Sequence, residues 1–405
     1  MDLTEVRQEM LRLGSYGRGE TGAITRLPFS EAYWGAAKLL RQDMQDCGLD
    51  SWIDSVGNVH GVLRCQTPGA KTLYVGSHLD TVREGGLYDG LLGVVAGLAC
   101  TGELQKQHKT LHCNLHLLAT NGEEGNDLGG TFGSRCMMGL LDPDQPGYLT
   151  IAGRYGIGRK EIEQARLDTA DAAGYLELHI EQGKTLDEAG EDAGIVTGIV
   201  GLRRYQITVL GEANHAGTTM MEFRRDAMVA AAKLIVDIDQ LVRQYGHQMV
   251  ATVGQFALFP NSPPVIPGKA EFVLEMRSQE TALMDQLLEQ IQARARTLTQ
   301  MEISFAPLVD KAPVHCDPTF VEVMDQVCRR SGIAFRRMSS GATHDGNAFA
   351  LRMPIGMLFV PSRNGISHNG REFTPWEQVD RGARLLYETV LALDTTFGKE
   401  AEQHV

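Results

Sequence analysis

The stretch that decides the fold is TLYVGSHLD at residues 72–80, followed by GLLGVVAGLACTGELQKQ at 90–107 and LHCNLHLLATNGEE at 111–124. The first and third segments are short apolar runs of strand length, and the segment between them is long and apolar enough for a buried helix. A strand, a helix and a second strand in this order predict an α/β layer architecture with functional side chains where the strands end.

The α/β pattern continues on both sides of this stretch. Upstream, residues 31–49 are predicted to be helical and residues 57–65 to form a strand. Downstream, the pattern returns after residue 312. The elements predicted there are a helix at 318–332 (PTFVEVMDQVCRRSG), a strand at 353–362 (MPIGMLFVPS) and a closing helix at 375–393 (PWEQVDRGARLLYETVLAL).

Between these two parts the pattern changes to β-like runs and two amphipathic helices. Their order resembles a β-α-β-β-α-β module of about 110 residues, which is the size of an independent domain. We therefore predict a domain made of residues 1–197 and 312–405, interrupted by an inserted α+β domain at 198–311. The predicted elements of the insertion are β-like runs at 194–213, a helix at 224–246, strands at 250–259 and 269–278, and a helix at 281–301.

The composition limits the classes of function. A chain of 405 residues exceeds what one hydrophobic core usually supports. The net charge of −13 argues against nucleic acid or an anionic membrane as a partner and favours a small molecule. The first residues are charged and helix-patterned, and no apolar run is long enough to span a membrane, so a cytoplasmic location is predicted. The seven cysteines contain no Cys-x-x-Cys pair and are interpreted as reduced packing residues.

One histidine and several acidic residues lie near the ends of the predicted strands. His78 and Asp80 close the first strand, where alternation points both side chains to the same face. Asp89 lies in GGLYDGLLG, a glycine-flanked loop that can bring a carboxylate close to a metal ion. Glu123 and Glu124 follow the next strand, and because adjacent side chains point in different directions, one could bind metal while the other carries protons.

Two further histidines complete a candidate ligand set. His179 lies in LELHIEQG and His368 in NGISHNG. A set of three histidines and two carboxylates suits two Zn²⁺ ions that share a carboxylate. Each residue taken alone has an ordinary alternative, since a lone histidine can be a core residue and an aspartate beside glycines is often a turn residue.

Seven motifs in a fixed order carry a family resemblance. They are SHLDT, YDG, EEG, LHIEQG, NHAGTT, GATHD and GISHN, and they lie between residues 20 and 390. This series resembles the N-carbamoyl-L-amino acid and allantoate amidohydrolases, which belong to a larger group of two-zinc aminoacylases and carboxypeptidases. The resemblance implies a two-zinc aminopeptidase-like catalytic domain with an inserted domain for dimerisation and active-site closure. It implies two divalent ions per subunit, with zinc expected and manganese or cobalt as alternatives.

The resemblance also implies a role for each candidate residue. Asp80 would hold the ring of His78 in the ligating tautomer, and Glu123 would be the general base. His78 and His179 resemble the ligands of one zinc, Glu124 and His368 resemble those of the other, and Asp89 resembles the bridge.

Residues outside the metal set resemble substrate contacts. His215 of NHAGTT would reach the active site of a partner subunit in a homodimer and polarise the scissile carbonyl. Its alternative role is that of a strand-end residue capping the next helix. Gln182, Arg277 and the backbone of Gly341 resemble contacts to the substrate. Arg277 suits a carboxylate through its bidentate fork, although a surface ion pair is the alternative.

Two departures from the family pattern concern the substrate. Where the family generally has Asn in an Asn-Val-Ile-Pro motif, this chain has Pro264, so an amide that helps to hold a carboxylate is absent. After EEG the family tends to have a small residue, Arg and Phe, whereas this chain has Asn126, Asp127 and Leu128. The wall of the pocket is therefore expected to differ on two sides.

Together these observations predict a metal-dependent amidohydrolase. It would cleave the C–N amide bond of an N-carbamoyl amino acid, or of a related carboxylate such as allantoate, with a zinc-activated water and Glu123 as general base. The alternative within the same superfamily is an N-acyl amino acid or dipeptide hydrolase. A non-catalytic binding protein on this fold is more remote, because every ligand position and the position of the base are filled.

Overall fold

The computed structural model describes residues 3–298 and 301–403. This part of the chain divides into two compact units. The first contains the chain up to Thr197 and from His315 onward, and the second is Gly198–Val314. The first unit is a mixed α/β structure around a central sheet, so the predicted α/β class is confirmed.

Helices and strands are numbered in chain order. The helices are α1 (Leu3–Leu13), α2 (Glu31–Asp46), α3 (Leu91–Lys106), α4 (Phe132–Met137), α5 (Tyr148–Ala152), α6 (Arg159–Gln164), α7 (Thr185–Ala189), α8 (Ala227–Val242), α9 (Thr281–Thr297), α10 (Pro318–Ser331), α11 (Gly346–Phe349) and α12 (Trp376–Gln403), with short 3₁₀ turns at Gly153–Tyr155, Met221–Phe223, Arg243–Gln248 and Arg363–Gly365. The strands are β1 (Asp50–Ile53), β2 (Val59–Leu63), β3 (Thr72–His78), β4 (Asn114–Thr120), β5 (Ala172–Ile180), β6 (Ala193–Ile199), β7 (Gly201–Leu210), β8 (Asn214–His215), β9 (Met249–Phe259), β10 (Val265–Ile266), β11 (Lys269–Ser278), β12 (Glu302–Lys311), β13 (Val314–His315), β14 (Phe335–Ser340) and β15 (Ile355–Val360).

The central sheet of the first unit has the strand order β1-β2-β4-β3-β5-β15-β6-β13, and β14 pairs with β6. Neighbours within β4-β3-β5-β15 are parallel, whereas β2 and β6 join this group in antiparallel pairs. Because parallel strands end at the same edge, the carboxyl ends of β4, β3, β5 and β15 meet there. Functional sites of open α/β sheets lie at this edge.

Helix α3 packs against this sheet and is apolar on nearly all sides. Leu92 and Val94 are fully buried, and the helix contacts β3, α1 and α12. A helix that is covered all round needs such a composition. Each fully buried leucine or valine contributes about 1.5–3 kcal/mol to stability. This packing fixes the loop that precedes α3 and that carries Asp89.

The predicted elements of the first unit are confirmed where the pattern is strong. Residues 72–80 and 111–124 contain β3 and β4, and residues 90–107 contain α3. The helix predicted at 318–332 is α10, where Asp317 is the N-cap and accepts a hydrogen bond from the backbone N–H of Thr319 at 2.8 Å. The closing helix continues beyond the predicted end at residue 393, as far as Gln403.

The second unit is an antiparallel sheet with the order β12-β7-β11-β9, covered by α8 and α9. Alternate residues of β11, including Phe272, Leu274 and Met276, are buried under these helices. The predicted β-α-β-β-α-β pattern is confirmed. The helix predicted at 281–301 ends at Thr297, and residues 299 and 300 of that prediction lie outside the described residues.

Within the described residues, no helix has the length and apolar content that crossing a membrane requires.

Candidate metal centre

Side chains from three segments of the first unit meet at the carboxyl edge of the sheet. His78 is the last residue of β3, and His179 is the last residue but one of β5. Their Nε2 atoms lie 3.3 Å and 3.0 Å from Oδ1 of Asp89, which stands in the loop before α3. The two Nε2 atoms are 3.5 Å apart. All three residues are buried.

Hydrogen bonds on the far side of each ring fix its tautomer. His78 Nδ1 lies 3.0 Å from the carbonyl oxygen of Asp80, and His179 Nδ1 lies 2.8 Å from that of Ile180. Because a carbonyl only accepts hydrogen bonds, Nδ1 carries the proton of the neutral ring, and in that neutral form the lone pair of Nε2 faces Asp89. Oδ1 of Asp89 is buried and has no hydrogen-bond partner in the described part of the chain. Two nitrogen lone pairs directed at an unpartnered carboxylate oxygen fit a divalent cation between them.

The other oxygen of Asp89 faces a second group. Nε2 of His368 lies 3.4 Å from Asp89 Oδ2 and 3.3 Å from Glu124 Oε1. His78, Asp89 and His179 could thus hold one ion, and Asp89, Glu124 and His368 a second, since the ligand atoms of each group lie within 4.8 Å of one another. Asp89 belongs to both groups and could be shared between the ions. His368 is half exposed, so this side of the cluster is open to solvent.

The charges within the cluster favour a cation. Hydrogen bonds with Asp89 and with Glu124 raise the pKa of His368 to about 10. Burial alone would raise the pKa of Asp89, but the imidazoles of His179, His368 and His78 hold it well below its usual value. The carboxylates thus draw protons onto the imidazoles, and a metal ion would displace them.

Two residues at the cluster, Gln182 and His368, have an unusual backbone conformation. Their φ angles are +59° and +54°, in a region that residues other than glycine rarely adopt. Nε2 of Gln182 donates a hydrogen bond to Asp89 Oδ2 at 2.9 Å and lies 3.4 Å from His368 Nε2. Strain of this kind collects at functional sites, where the surrounding contacts hold it in place.

The structure corrects the expected role of Asp80. Its carboxylate accepts hydrogen bonds from the backbone N–H groups of Gly122 at 2.8 Å, Glu123 at 3.2 Å and Glu124 at 3.1 Å. Asp80 does hold the ring of His78, but through its backbone carbonyl and not through its carboxylate. The turn after β4 points three N–H groups at the carboxylate and so occupies it. Asp80 therefore orients the two adjacent glutamates.

Glu123 lies beside the cluster without belonging to the groups that share Asp89. Its Oε2 is 4.0 Å from His78 Nε2, and the residue is buried. Burial, and after it the charge of Glu124, raise its pKa well above the usual value, against the lowering effect of His78. A buried carboxyl group with a raised pKa suits general acid–base chemistry.

The residues that depart from the family pattern after EEG mostly face inward. The side-chain amide of Asn126 donates to the carbonyl oxygens of Glu124 at 2.8 Å and Gly122 at 3.2 Å. Leu128 is buried in a hydrophobic cluster with Phe132. Asn126 therefore braces the turn that carries Glu124, and the effect of these residues on the pocket wall stays a prediction. Asp127 is exposed.

Sequence reasoning missed residues that surround the cluster. The ring of His344 packs edge-on against that of His179 at 4.7 Å, and buried Asp345 accepts a 2.5 Å hydrogen bond from Ser134. Both lie in the motif GATHD, of which only Gly341 had been singled out. Glu372 is buried as well, and burial followed by the charge of Asp89 raises its pKa to about 7. Its position four residues after His368 was the available signal.

The remaining predicted contacts lie outside the cluster itself. Gly341 follows β14 in the first unit and is exposed. His215 lies on β8 of the second unit, exposed, and its Nδ1 accepts hydrogen bonds from the backbone N–H groups of Gly217 at 2.9 Å and Thr218 at 3.2 Å. Nε2 therefore carries the proton of the neutral ring and can donate it.

Arg277 also lies in the second unit, on β11. Its Nε donates to Oε1 of Glu275 at 2.7 Å, and the second oxygen of Glu275 accepts from Nε of Arg204 at 2.5 Å. The surface ion pair considered from the sequence is thus present. The contact between Arg277 and a substrate stays a prediction.

Known proteins resemble this chain over nearly its whole length. Residues 74–392 match the family model described as Peptidase family M20/M25/M40. The chain is 36% identical to an N-carbamoyl-L-amino acid amidohydrolase of Geobacillus stearothermophilus, covering 95% of this chain and 97% of the relative. It is 32% identical to an allantoate amidohydrolase of Bacillus subtilis, covering 94% and 95%. A crystal structure of an amidase of the hydantoinase/carbamoylase family from Burkholderia multivorans matches with a TM-score of 0.86 at 27% identity, covering 97% and 98%.

These matches confirm the resemblance read from the seven motifs, since they extend over nearly the whole chain and the curated relatives are amidohydrolases. The chain is therefore an amidohydrolase that belongs to peptidase family M20/M25/M40.

Proposed function

We propose that this protein is a two-metal amidohydrolase that cleaves the C–N amide bond of an N-carbamoyl amino acid or of a related ureido carboxylate such as allantoate. His78, Asp89 and His179 hold one ion, and Asp89, Glu124 and His368 hold the other. Zinc is the expected metal, because two imidazole nitrogens and carboxylate oxygens suit it. The names of the curated relatives support the substrate class.

One observation carries the proposal. Nε2 of His78 and Nε2 of His179 are both directed at the same buried oxygen of Asp89, and their other ring nitrogens are committed to backbone carbonyls. Protons on both Nε2 atoms would place two like charges 3.5 Å apart in a buried site, which is costly. A cation resolves this conflict, so the cluster is suited to metal binding.

The chemistry divides between the metal ions and the protein. Bound divalent ions lower the pKa of a water molecule and polarise a carbonyl group. Glu123 accepts the proton of the attacking water on a carboxylate oxygen and later returns it to the leaving nitrogen. Asp80 keeps Glu123 in place through the backbone N–H groups of the turn. The buried position of Glu123 favours this shuttle, because burial raises its pKa well above the usual value.

His215 supplies a hydrogen-bond donor to the scissile carbonyl, and it does so in the site of a partner subunit. The proton on its Nε2 supports the first part of this proposal. The second part rests on the resemblance to dimeric relatives. It is supported by the second unit, where β9 is an edge strand with Val250, Phe256 and Phe259 exposed. An apolar, unpaired edge strand favours pairing with another strand.

Substrate recognition is assigned to Gln182, Arg277 and the backbone of Gly341. The amide of Gln182 lies at the open, His368 side of the cluster, which supports its contact with a substrate. Arg277 binds the carboxylate of the substrate as a charged, bidentate donor. With Pro264 in place of the family's Asn, one neutral donor is missing, so a substrate bulkier or less polar than simple carbamoyl amino acids is expected.

The protein is assigned to the cytoplasm. All seven cysteines are free thiols, and five of them are buried, which suits a reducing compartment.

The decisive experiment is a substrate and metal screen. The protein is treated with a chelator, reloaded with Zn²⁺, Mn²⁺ or Co²⁺, and incubated with carbamoyl, ureido and acyl amino acids while ammonia and free amine are measured separately. Ammonia together with a metal requirement supports the proposal. Release of amine alone from acyl substrates would identify an acylase or peptidase instead. No turnover by any reloaded form would contradict the proposed substrate class.

A further inference from the structure

A buried carboxylate outside the ligand set connects two of the metal-binding segments. Glu372 lies in the segment between His368 and α12, and its Oε1 accepts hydrogen bonds from the backbone N–H groups of Tyr88 at 2.8 Å and Asp89 at 3.0 Å. The loop before α3 is thereby tied, at Asp89 itself, to the segment that carries His368. Among the described residues, no strand pairing joins these two segments, and the Glu372 side chain links them directly.

A hydroxyl group extends this connection to the carboxylate of Asp89. Oγ of Ser367 lies 3.2 Å from Glu372 Oε2 and 3.1 Å from Asp89 Oδ2, close enough to donate to either. Gly86 provides the space that Glu372 occupies, because a Cβ atom at that position would lie 2.1 Å from Glu372 Oε1. Glu372 therefore contacts the loop at two places, at Gly86 and at Asp89.

We propose that Glu372 is a positioning residue for the metal centre, which holds the backbone and the carboxylate of Asp89 so that its two oxygens face separate metal sites. This inference rests on the proposed metal ligation. Asp89 is the residue common to both groups of ligands, so an error in its orientation would weaken both sites together. Partners that orient a metal ligand in this way typically contribute about 10- to 100-fold to metal affinity.

The chain offers a matched control for this proposal. Asp394 on α12 is also buried, and its Oδ1 also accepts hydrogen bonds from two consecutive backbone N–H groups, those of His112 at 2.9 Å and Cys113 at 2.8 Å. These residues precede β4, at the edge of the sheet opposite to Glu123. Loss of Asp394 should therefore lower stability in a similar way without moving a metal ligand.

The test measures metal binding on chelator-treated protein, independently of activity. Zn²⁺ affinity is determined by calorimetry with a competing chelator, and the geometry of bound Co²⁺ by visible absorption. Glu372→Ala should lose about 10- to 100-fold in affinity at both sites and change the Co²⁺ spectrum. Glu372→Gln keeps an oxygen for the two N–H groups and should remain near wild type. Asp394→Ala should lower the melting temperature and leave both metal readouts unchanged.

A second substitution removes the dependence on one variant. Gly86→Ala displaces the Glu372 carboxylate while leaving every proposed ligand intact, and it should reproduce the loss seen in Glu372→Ala. Wild-type affinity in folded Glu372→Ala or Gly86→Ala would overturn the positioning role, as would an equal loss in Asp394→Ala. If the wild-type chain itself bound no Zn²⁺, the proposed metal ligation would be refuted first, so the two failures are distinguishable.

Discussion

At the scale of single residues, the adjacent glutamates Glu123 and Glu124 have different environments. Glu124 faces His368 across 3.3 Å, whereas Glu123 lies beside His78 and is not part of the group around His368. The difference arises because consecutive side chains after a strand point in different directions while the carboxylate of Asp80 holds both backbone N–H groups. In the proposed mechanism, Glu124 binds metal and Glu123 transfers protons.

Glu123→Gln should retain two metal ions per chain and lower kcat by about 100- to 10,000-fold, because the amide cannot accept the proton of the attacking water. Metal content by elemental analysis and kcat with the best carbamoyl substrate measure the two effects. Asp127→Asn, a change to an exposed acid four residues away, is the control and should leave kcat near wild type. Turnover by Glu123→Gln at the wild-type rate would show that Glu123 is not the general base.

Arg277 and Arg204 both pair with Glu275, which allows substrate binding to be separated from the ion pair. Arg277→Ala should raise KM about 10- to 100-fold for a substrate carboxylate, since a charged hydrogen bond is lost, and much less for the corresponding neutral amide. Arg204→Ala breaks the neighbouring half of the ion pair and should leave both KM values unchanged. A similar rise in KM in both variants would assign Arg277 a structural role only.

At the scale of elements, the loop from β3 to α3 sets the geometry of the candidate metal centre. β3 ends at His78, and α3 begins directly after Gly90, which has a φ of +68°. A Cβ atom at Gly90 would lie 2.4 Å from the ring of His78, so only glycine allows the helix to start this close to the ligand. The packing of α3 on the sheet therefore acts on His78 through Gly90.

Gly90→Ala should weaken Zn²⁺ binding by roughly tenfold or more, because the new methyl group displaces the ring of His78. Gly69→Ala is a suitable control, since Gly69 has the same φ of +68° and no heavy atom within 4 Å of the added Cβ. Both variants should lose stability from backbone strain, by about 1–2 kcal/mol, and only Gly90→Ala should lose affinity. Unaltered Zn²⁺ binding in Gly90→Ala would show that the His78 ring tolerates the shift.

At the scale of the whole molecule, the proposed homodimer makes a prediction about complementation. Glu123→Gln and His215→Ala chains are each expected to be nearly inactive. If His215 serves the partner's site, a mixed dimer contains one intact composite site, and random exchange should restore about a quarter of wild-type activity. Activity is measured after subunit exchange has been verified with chains of different mass. A mixture that exchanges fully and stays inactive would place His215 in the site of its own chain or outside catalysis.

The sequence by itself determined the α/β class, the order of the strong elements and the residues of the cluster. Each of these depends on local information, such as the apolar runs of β3, β4 and α3 or the short motifs that contain the candidate residues. The strand β5 was not predicted, because Glu177 and His179 interrupt its apolar pattern. Only the tertiary structure shows that such polar residues are buried with partners, as in the 2.6 Å hydrogen bond from Ser77 to Glu177.

Relations between distant segments were decided by the tertiary structure alone. Asp80 is an example. Its backbone carbonyl holds the ring of His78, and its carboxylate accepts hydrogen bonds from the turn after β4. The spacing of residues in the sequence cannot show this arrangement. The link from Glu372 to Asp89 joins residues 283 positions apart. The physical reason is that hydrogen bonds depend on direction and on distances of about 3 Å, and only the packing of the sheet against α3 brings such segments into that range.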